Sequence, residues 1–297
     1  MAIEKVGVLG CGLMGSGIAQ VCAQAGHPTV VLEVSQALLD RGLGNIDRFL
    51  KGGVERGKLT AADRDKTLAH LKGTIDPAAL ADRDLIIEAV VENRDAKVEI
   101  LRRLDPICGK HAVFASNTSS LSITELAAST QRPQRFIGLH FFNPVPLMKL
   151  VEVVGTFMTE APVLEDALRF IGRLGKTPVR TTDKTGFIVN RLLVPYMLDA
   201  IRALEEGVGS IQDIDEAMRL GCGYPMGPFT LLDLVGLDTT YHIANVFFDE
   251  FREPRFAAPP LLRRMVLAGY HGRKTGKGFY DHGGDRPTPN NFLVKGA

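Results

Sequence analysis

The stretch HFFNPVPLMKLVEVV, residues 140–154, sets an ionisable residue in each of two apolar runs: His140 near the end of one, Glu152 inside the next. Both stand equally far from Pro146, in a turn that also holds Asn143 and Pro144. If the segment folds back around that proline, strand periodicity puts the two side chains opposite each other on one face. A carboxylate against an imidazole fixes its tautomer and meets the charge of its protonated form. A general base that accepts a proton from an alcohol needs that arrangement. The competing reading is a core histidine bonded to backbone, with a glutamate turned to solvent.

A second pattern bears on the choice. GCGLMG places Gly10, Gly12 and Gly15 in GxGxxG spacing, with Leu13 and Met14 filling the turn between them. The motif follows a predicted strand and opens a predicted helix, the context in which it cradles a dinucleotide pyrophosphate at a helix N-terminus. Glu33 ends the next predicted strand, where a carboxylate accepts both ribose hydroxyls and repels a 2′-phosphate. Val34, Ser35 and Gln36 offer no cation in compensation. NAD is therefore expected over NADP. Hydride loss from an alcohol carbon leaves a proton to be removed, so the dinucleotide site supplies a reason for His140. ASNTSS (115–120), with Asn117 and Ser119, follows another apolar strand and fits either a ligand-facing loop at the sheet edge or a polar loop capping the next helix.

These residues need a scaffold. Short β-branched runs alternate with helical patterns: strands at KVGVLG, PTVVLE, DLIIEAVVE, AVFASN, RFIGLHFF, KLVEVV and TPVRT; helices near 13–25, 36–56, 61–71, 95–104 and 163–174. Alternation at this spacing predicts an α/β fold, a doubly wound, mostly parallel Rossmann-type sheet. After Thr182 the pattern turns helical, with Pro195 a kink, Gly207 a stop, and 228–251 one helical stretch. Two domains are expected: 1–184, binding the dinucleotide, and 185–297, a helical domain for substrate and dimerisation.

At 297 residues, the chain suits two domains of roughly 150 each. A net charge of +1 disfavours nucleic acid or an acidic membrane surface as the main partner. Cys11, Cys22, Cys108 and Cys222 show no metal spacing and no disulfide framework, which fits a reducing, cytoplasmic setting and no metal site. No apolar run reaches membrane length, and no leader segment is visible.

Seven stretches in one order, GCGLMGSGIAQ, EAVVEN, SNTSSLSIT, GLHFFNPVPLMKLVEVV, GFIVNRLL, GYPMGPFTLLDLVGLD and GRKTGKGFYD, resemble the L-3-hydroxyacyl-CoA dehydrogenase family, most of all its short bacterial 3-hydroxybutyryl-CoA members. The resemblance implies a catalytic His140–Glu152 pair, Ser119 on the substrate's 3-oxygen, and Asn190 reaching in from the helical domain. It implies Glu92 and Lys97 on the cofactor side, an acyl-CoA substrate of S configuration in a cleft between domains, and a homodimer. Among Arg48, Lys51, Arg56 and Lys58, Lys51 and Arg56 are the expected CoA contacts, against the alternative of a solvated helix face. Gly52 and Gly53 in LKGGVERGK are expected to weaken or hinge that helix. A free hydroxy acid or sugar acid as substrate, and a non-catalytic NAD-binding protein, stand as alternatives.

Overall fold

The computed structural model describes residues 3–290, and the chain divides into two compact units, Met1–Phe187 and Ile188–Ala297. The first unit runs β1 (Val6–Leu9), α1 (Leu13–Gln24), β2 (Thr29–Leu32), α2 (Gln36–Glu55), α3 (Ala61–Ala69), β3 (Leu71–Thr74), β4 (Leu85–Glu88) and α4 (Arg94–Leu104). It continues with β5 (Val113–Ser116), α5 (Ile123–Ala128), β6 (Phe136–Phe141), β7 (Leu150–Gly155), α6 (Ala161–Arg173) and β8 (Thr177–Thr182). The strands form one sheet in the order β3-β2-β1-β4-β5-β6-β7-β8. Every pairing is parallel except β6 with β7, which is antiparallel.

The inner strands are buried on both faces, which is why they read as unbroken apolar runs rather than alternating ones. Alternate residues still go to separate cores: Val8, Ile87, Ala115 and Leu139 pack into one, Leu9, Ile86, Phe114 and Phe136 into the other. By that parity Glu88, Ser116, His140 and Glu152 share the second face. These four polar groups thus gather on one side of the sheet.

Three departures from the sequence reading have local causes. The helix expected to reach Leu71 ends at Ala69, and LKGT becomes β3, where Leu39 and Leu43 of α2 pack directly over Gly73. DLIIEAVVE is strand only as far as Glu88, because β1 beside it stops at Leu9, the partner of Glu88. The expected hinge at Gly52–Gly53 is absent: α2 runs unbroken to Glu55, and the missing side chain of Gly53 makes room for Leu59.

In the second unit, α7 (Val189–Glu205), α8 (Ile211–Gly221), α9 (Pro228–Val235), α10 (Leu237–Phe251) and α11 (Pro260–Leu267) enclose a core that includes Phe229, Phe247 and Phe279. The stretch 228–251 is two helices, divided at Gly236, whose φ of 102° no other residue adopts readily. Buried Asp233 of α9 accepts the backbone N–H of Phe279 and of Tyr280, each at 2.8 Å, and so ties down the chain's later segment. No helix among the described residues is long and apolar enough to cross a membrane.

Candidate active site

The antiparallel register of β6 and β7 pairs His140 directly with Glu152. His140 Nδ1 lies 2.6 Å from Glu152 Oε2. The carboxylate is fully buried and the imidazole nearly so, at 6 % exposure. The rings of Phe142 and Phe187 stand 4.4 and 5.6 Å from the imidazole. An acceptor-only carboxylate at that distance takes the Nδ1–H, which leaves Nε2 as the nitrogen able to accept a proton. Apolar walls around the pair strengthen the attraction once the ring is charged.

A network of charge lies along the same sheet edge. Glu88, at the end of β4, is fully buried; its Oε1 accepts from Lys97 Nζ at 2.7 Å and its Oε2 from Ser116 Oγ at 2.5 Å. Lys97, 1 % exposed, also meets Glu92 Oε2 at 3.2 Å. Glu92 Oε1 in turn accepts from Thr118 Oγ1 (2.6 Å), Ser119 N (2.9 Å), Ser120 Oγ (3.2 Å) and Ser119 Oγ (3.4 Å). Burial alone would raise the Glu92 carboxyl, but the charge of Lys97 and the bonds from Thr118 and Ser119 outweigh it and hold it below the usual carboxylate range. Asn117 Oδ1 accepts the N–H of Phe141 at 2.9 Å, joining the loop after β5 to the end of β6 beside His140. Ser119 and His140 thus belong to adjacent, cross-linked strand ends.

The dinucleotide motif closes β1. Gly10 has a φ of 89°, and a side chain at Gly15 would come within 2.0 Å of Gly10 O, so the turn tolerates no bulk at either position. A Cβ at Gly12, by contrast, would meet nothing within 4 Å, which leaves its backbone open to a ligand. Leu13 begins α1 and is exposed; Met14 is half-buried. Glu33 follows β2 and accepts the N–H of Cys11 at 2.7 Å and of Val34 at 2.9 Å, so its carboxylate is held in place by backbone. Beside it lies a cavity of about 550 Å³ with Gly10, Gly12 and Glu33 in its wall. Val34, Ile75 and Val91 also line it while remaining more than half exposed, as residues awaiting an apolar ring would. Glycine turn, fixed carboxylate and apolar cavity together fit NAD.

The other expected residues sit elsewhere. Asn190 belongs to the first turn of α7, in the second unit. Lys51 Nζ pairs with Asp47 at 2.7 Å, and Asp47 also accepts from Arg64. Arg56 follows the end of α2, with its guanidinium folded over Gly52. Among the described residues no cluster of His, Cys, Asp or Glu could hold a metal ion. Sequence reasoning missed Glu88, masked in a run that reads as apolar, and the cavity residues Val34, Ile75 and Val91.

Comparison with known proteins gives this geometry a context. The profile described as 3-hydroxyacyl-CoA dehydrogenase, NAD binding domain, matches residues 5–184, and the one described as the C-terminal domain of the same dehydrogenase matches 186–282. The chain is 49% identical to a 3-hydroxybutyryl-CoA dehydrogenase of Mycobacterium tuberculosis, over 95% of this chain and 99% of the relative. It is 46% identical to the mitochondrial hydroxyacyl-coenzyme A dehydrogenase of Homo sapiens, over 94% of this chain and 91% of the relative. The crystal structure of an (S)-3-hydroxybutyryl-CoA dehydrogenase from Ralstonia eutropha superposes with a TM-score of 0.93 at 43% identity, covering 95% of this chain and all (100%) of that one. Matched in both domains and along nearly its whole length, the chain belongs to the 3-hydroxyacyl-CoA dehydrogenase family, and its first unit is that family's NAD-binding domain.

Proposed function

We propose that this chain interconverts a short (S)-3-hydroxyacyl-CoA, 3-hydroxybutyryl-CoA foremost, with the matching 3-ketoacyl-CoA, and that His140 takes and returns the hydroxyl proton. The observation that carries the reading is the 2.6 Å contact between His140 Nδ1 and a fully buried Glu152, on the sheet edge that also bears the dinucleotide turn. The substrate class follows the activity named for relatives 43 to 49% identical.

NAD, when bound, supplies the hydride acceptor. Its pyrophosphate would lie on the Gly10–Gly15 turn with Leu13 and Met14, its adenosine ribose on Glu33, and Glu92, Lys97 and Asn117 would shape the side nearer the chemistry. Lys97 does so through Glu92, since its own ammonium is enclosed between two carboxylates. In the oxidising direction, Nε2 of His140 takes the proton of the 3-hydroxyl, and the new positive charge faces Glu152. In the reducing direction, the imidazolium gives that proton to the 3-oxygen. Ser119, turning its one hydroxyl proton from the long 3.4 Å contact with Glu92, donates to the 3-oxygen and fixes its direction, and Asn190 positions substrate; orientation of this kind is worth several kcal/mol. Lys51 and Arg56 would meet the phosphates of CoA, and the chain would work as a cytoplasmic homodimer, checked by a sedimentation mass of two chains.

The test is NADH consumption by the purified protein with acetoacetyl-CoA, beside acetoacetate and beside NADPH. Turnover confined to the thioester and NADH supports the proposal. Turnover of the free acid instead would move the substrate to a hydroxy acid, and tight NADH binding without turnover would make the protein a non-catalytic binder.

A further inference from the structure

Lys176, just before β8, is a buried cation for which the mechanism above has no task. It is 8 % exposed, and its Nζ donates to Val145 O at 2.6 Å and to Met148 O at 2.7 Å. Both carbonyls belong to residues 142–149, the connection between the strand of His140 and the strand of Glu152. Among the described residues no carboxylate pairs with this ammonium. The titratable groups that face it are Cys22 of α1 and Lys149. Burial and then the charge of Lys149 push it below the usual lysine range, with Cys22 opposing. A buried ammonium without a counter-charge is costly to hold, and here two carbonyls stand in for its water.

The same connection also rests on α1. Val145 is buried, and a Cβ at Gly17 would stand 2.8 Å from Val145 Cβ and 3.5 Å from Pro146 Cδ. Gly17 lies on the first turns of the helix opened by the dinucleotide motif. At the connection's start, Phe142 packs its ring 4.4 Å from that of His140. At its end, Lys149 O accepts the N–H of Thr177, the neighbour of Lys176. The connection is therefore held both by α1 and by Lys176, and the strand of His140 leads directly into it.

We propose that Lys176 is a positioning residue: by holding Val145 and Met148 against α1 at Gly17, it sets where His140 stands relative to the dinucleotide turn. The inference rests on His140 being the proton acceptor. Misplacing a reacting group by about 1 Å can cost on the order of a hundredfold in rate. Removing the ammonium also strands two carbonyls, so the connection has reason to move.

The experiment compares the parent with K176M, with K176R as the variant that keeps a cation, and with G17A, which presses on Val145 from the helix side. Four quantities are read: kcat per folded molecule with acetoacetyl-CoA, NADH affinity by fluorescence, the primary isotope effect with NADH deuterated at the transferred position, and the His140 Nδ1–H proton resonance without cofactor. For K176M the expected result is a kcat lower by about ten- to a hundredfold, NADH affinity close to the parent's, a larger isotope effect and a displaced resonance. K176R is expected to recover part of the rate, and G17A to shift the same readouts in the same direction. A K176M that melts lower but keeps the parent's kcat, isotope effect and resonance would reduce Lys176 to a fold-stabilising group and overturn the inference. Should K176M fail to fold, parent-like values in G17A overturn it equally. H140Q serves as the control: if it is as active as the parent, the functional reading fails, whereas an inactive H140Q beside a parent-like K176M sinks only the role of Lys176.

Discussion

Replacing Glu152 with Gln removes the charge that faces His140 and keeps the size of the side chain. With Nδ1 and Oε2 2.6 Å apart, the centres of the imidazolium and carboxylate charges lie roughly 4 Å apart, and unit charges at that distance attract by about 4 kcal/mol at an effective dielectric near 20. The Gln carbonyl still accepts the Nδ1–H, so about 1 kcal/mol of hydrogen bond remains. The state in which His140 carries the proton should therefore lose roughly 3 kcal/mol, a fall in turnover of about a hundredfold. NADH affinity should not change, because the nucleotide turn is on other strands. Stability should fall by about 1–3 kcal/mol, because the fully buried Gln places an amide NH2 where a carboxylate oxygen stood. The assay is steady-state reduction of acetoacetyl-CoA by E152Q and parent, with NADH titrated by fluorescence and folding followed by thermal melting. An E152Q enzyme within about twofold of the parent's turnover, where a hundredfold loss is expected, would make Glu152 a packing group with no part in stabilising the imidazolium.

Glu33 is held by the N–H groups of Cys11 and Val34 before any ligand arrives; E33Q should weaken NADH binding about tenfold, the worth of one charged hydrogen bond, and admit NADPH, and an unchanged preference would contradict the assignment. Burial pushes Cys11 up to about 12, with the charge of Glu33 adding to it; burial likewise raises Cys22 to about 12 and Cys108 to about 11. Only exposed Cys222 should then react quickly with a disulfide reagent in the native protein, and C222S should abolish that phase; a second fast thiol would contradict it. Glu92 is held below its unfolded value, so its stabilisation is present at neutral pH and lost as pH falls through the folded value. Denaturant stability of the parent should therefore drop more steeply below the usual carboxylate range than that of E92Q, and identical acid limbs would rule this out.

How much of this was legible depends on whether the cause is local. The register of His140 with Glu152 could be read because both are equally spaced from Pro146, and an antiparallel return needs no further information. The glycine turn could be read because Gly10 and Gly15 answer constraints within one strand and one helix. Glu88 could not: its partner Lys97 reaches it only because α4 runs back along the sheet, and the strand around it reads as apolar. Strand β3 was hidden for a related reason, since an edge strand half-buried against α2 carries little alternation. The break at Gly236 was invisible because helical spacing continues on both sides, and the positive φ shows only in three dimensions. Lys176 had no signal at all, because its two partners are backbone carbonyls.

Whether His140 carries the proton is decided by a single-turnover measurement of NADH oxidation by acetoacetyl-CoA with the parent and H140Q, each saturated with NADH. Both proteins should bind NADH alike, and H140Q should be slower by at least about a hundredfold, within the range that general acid–base catalysis contributes. Equal rates would show that the proton is carried by another group, and a joint loss of binding and turnover would make His140 part of the scaffold.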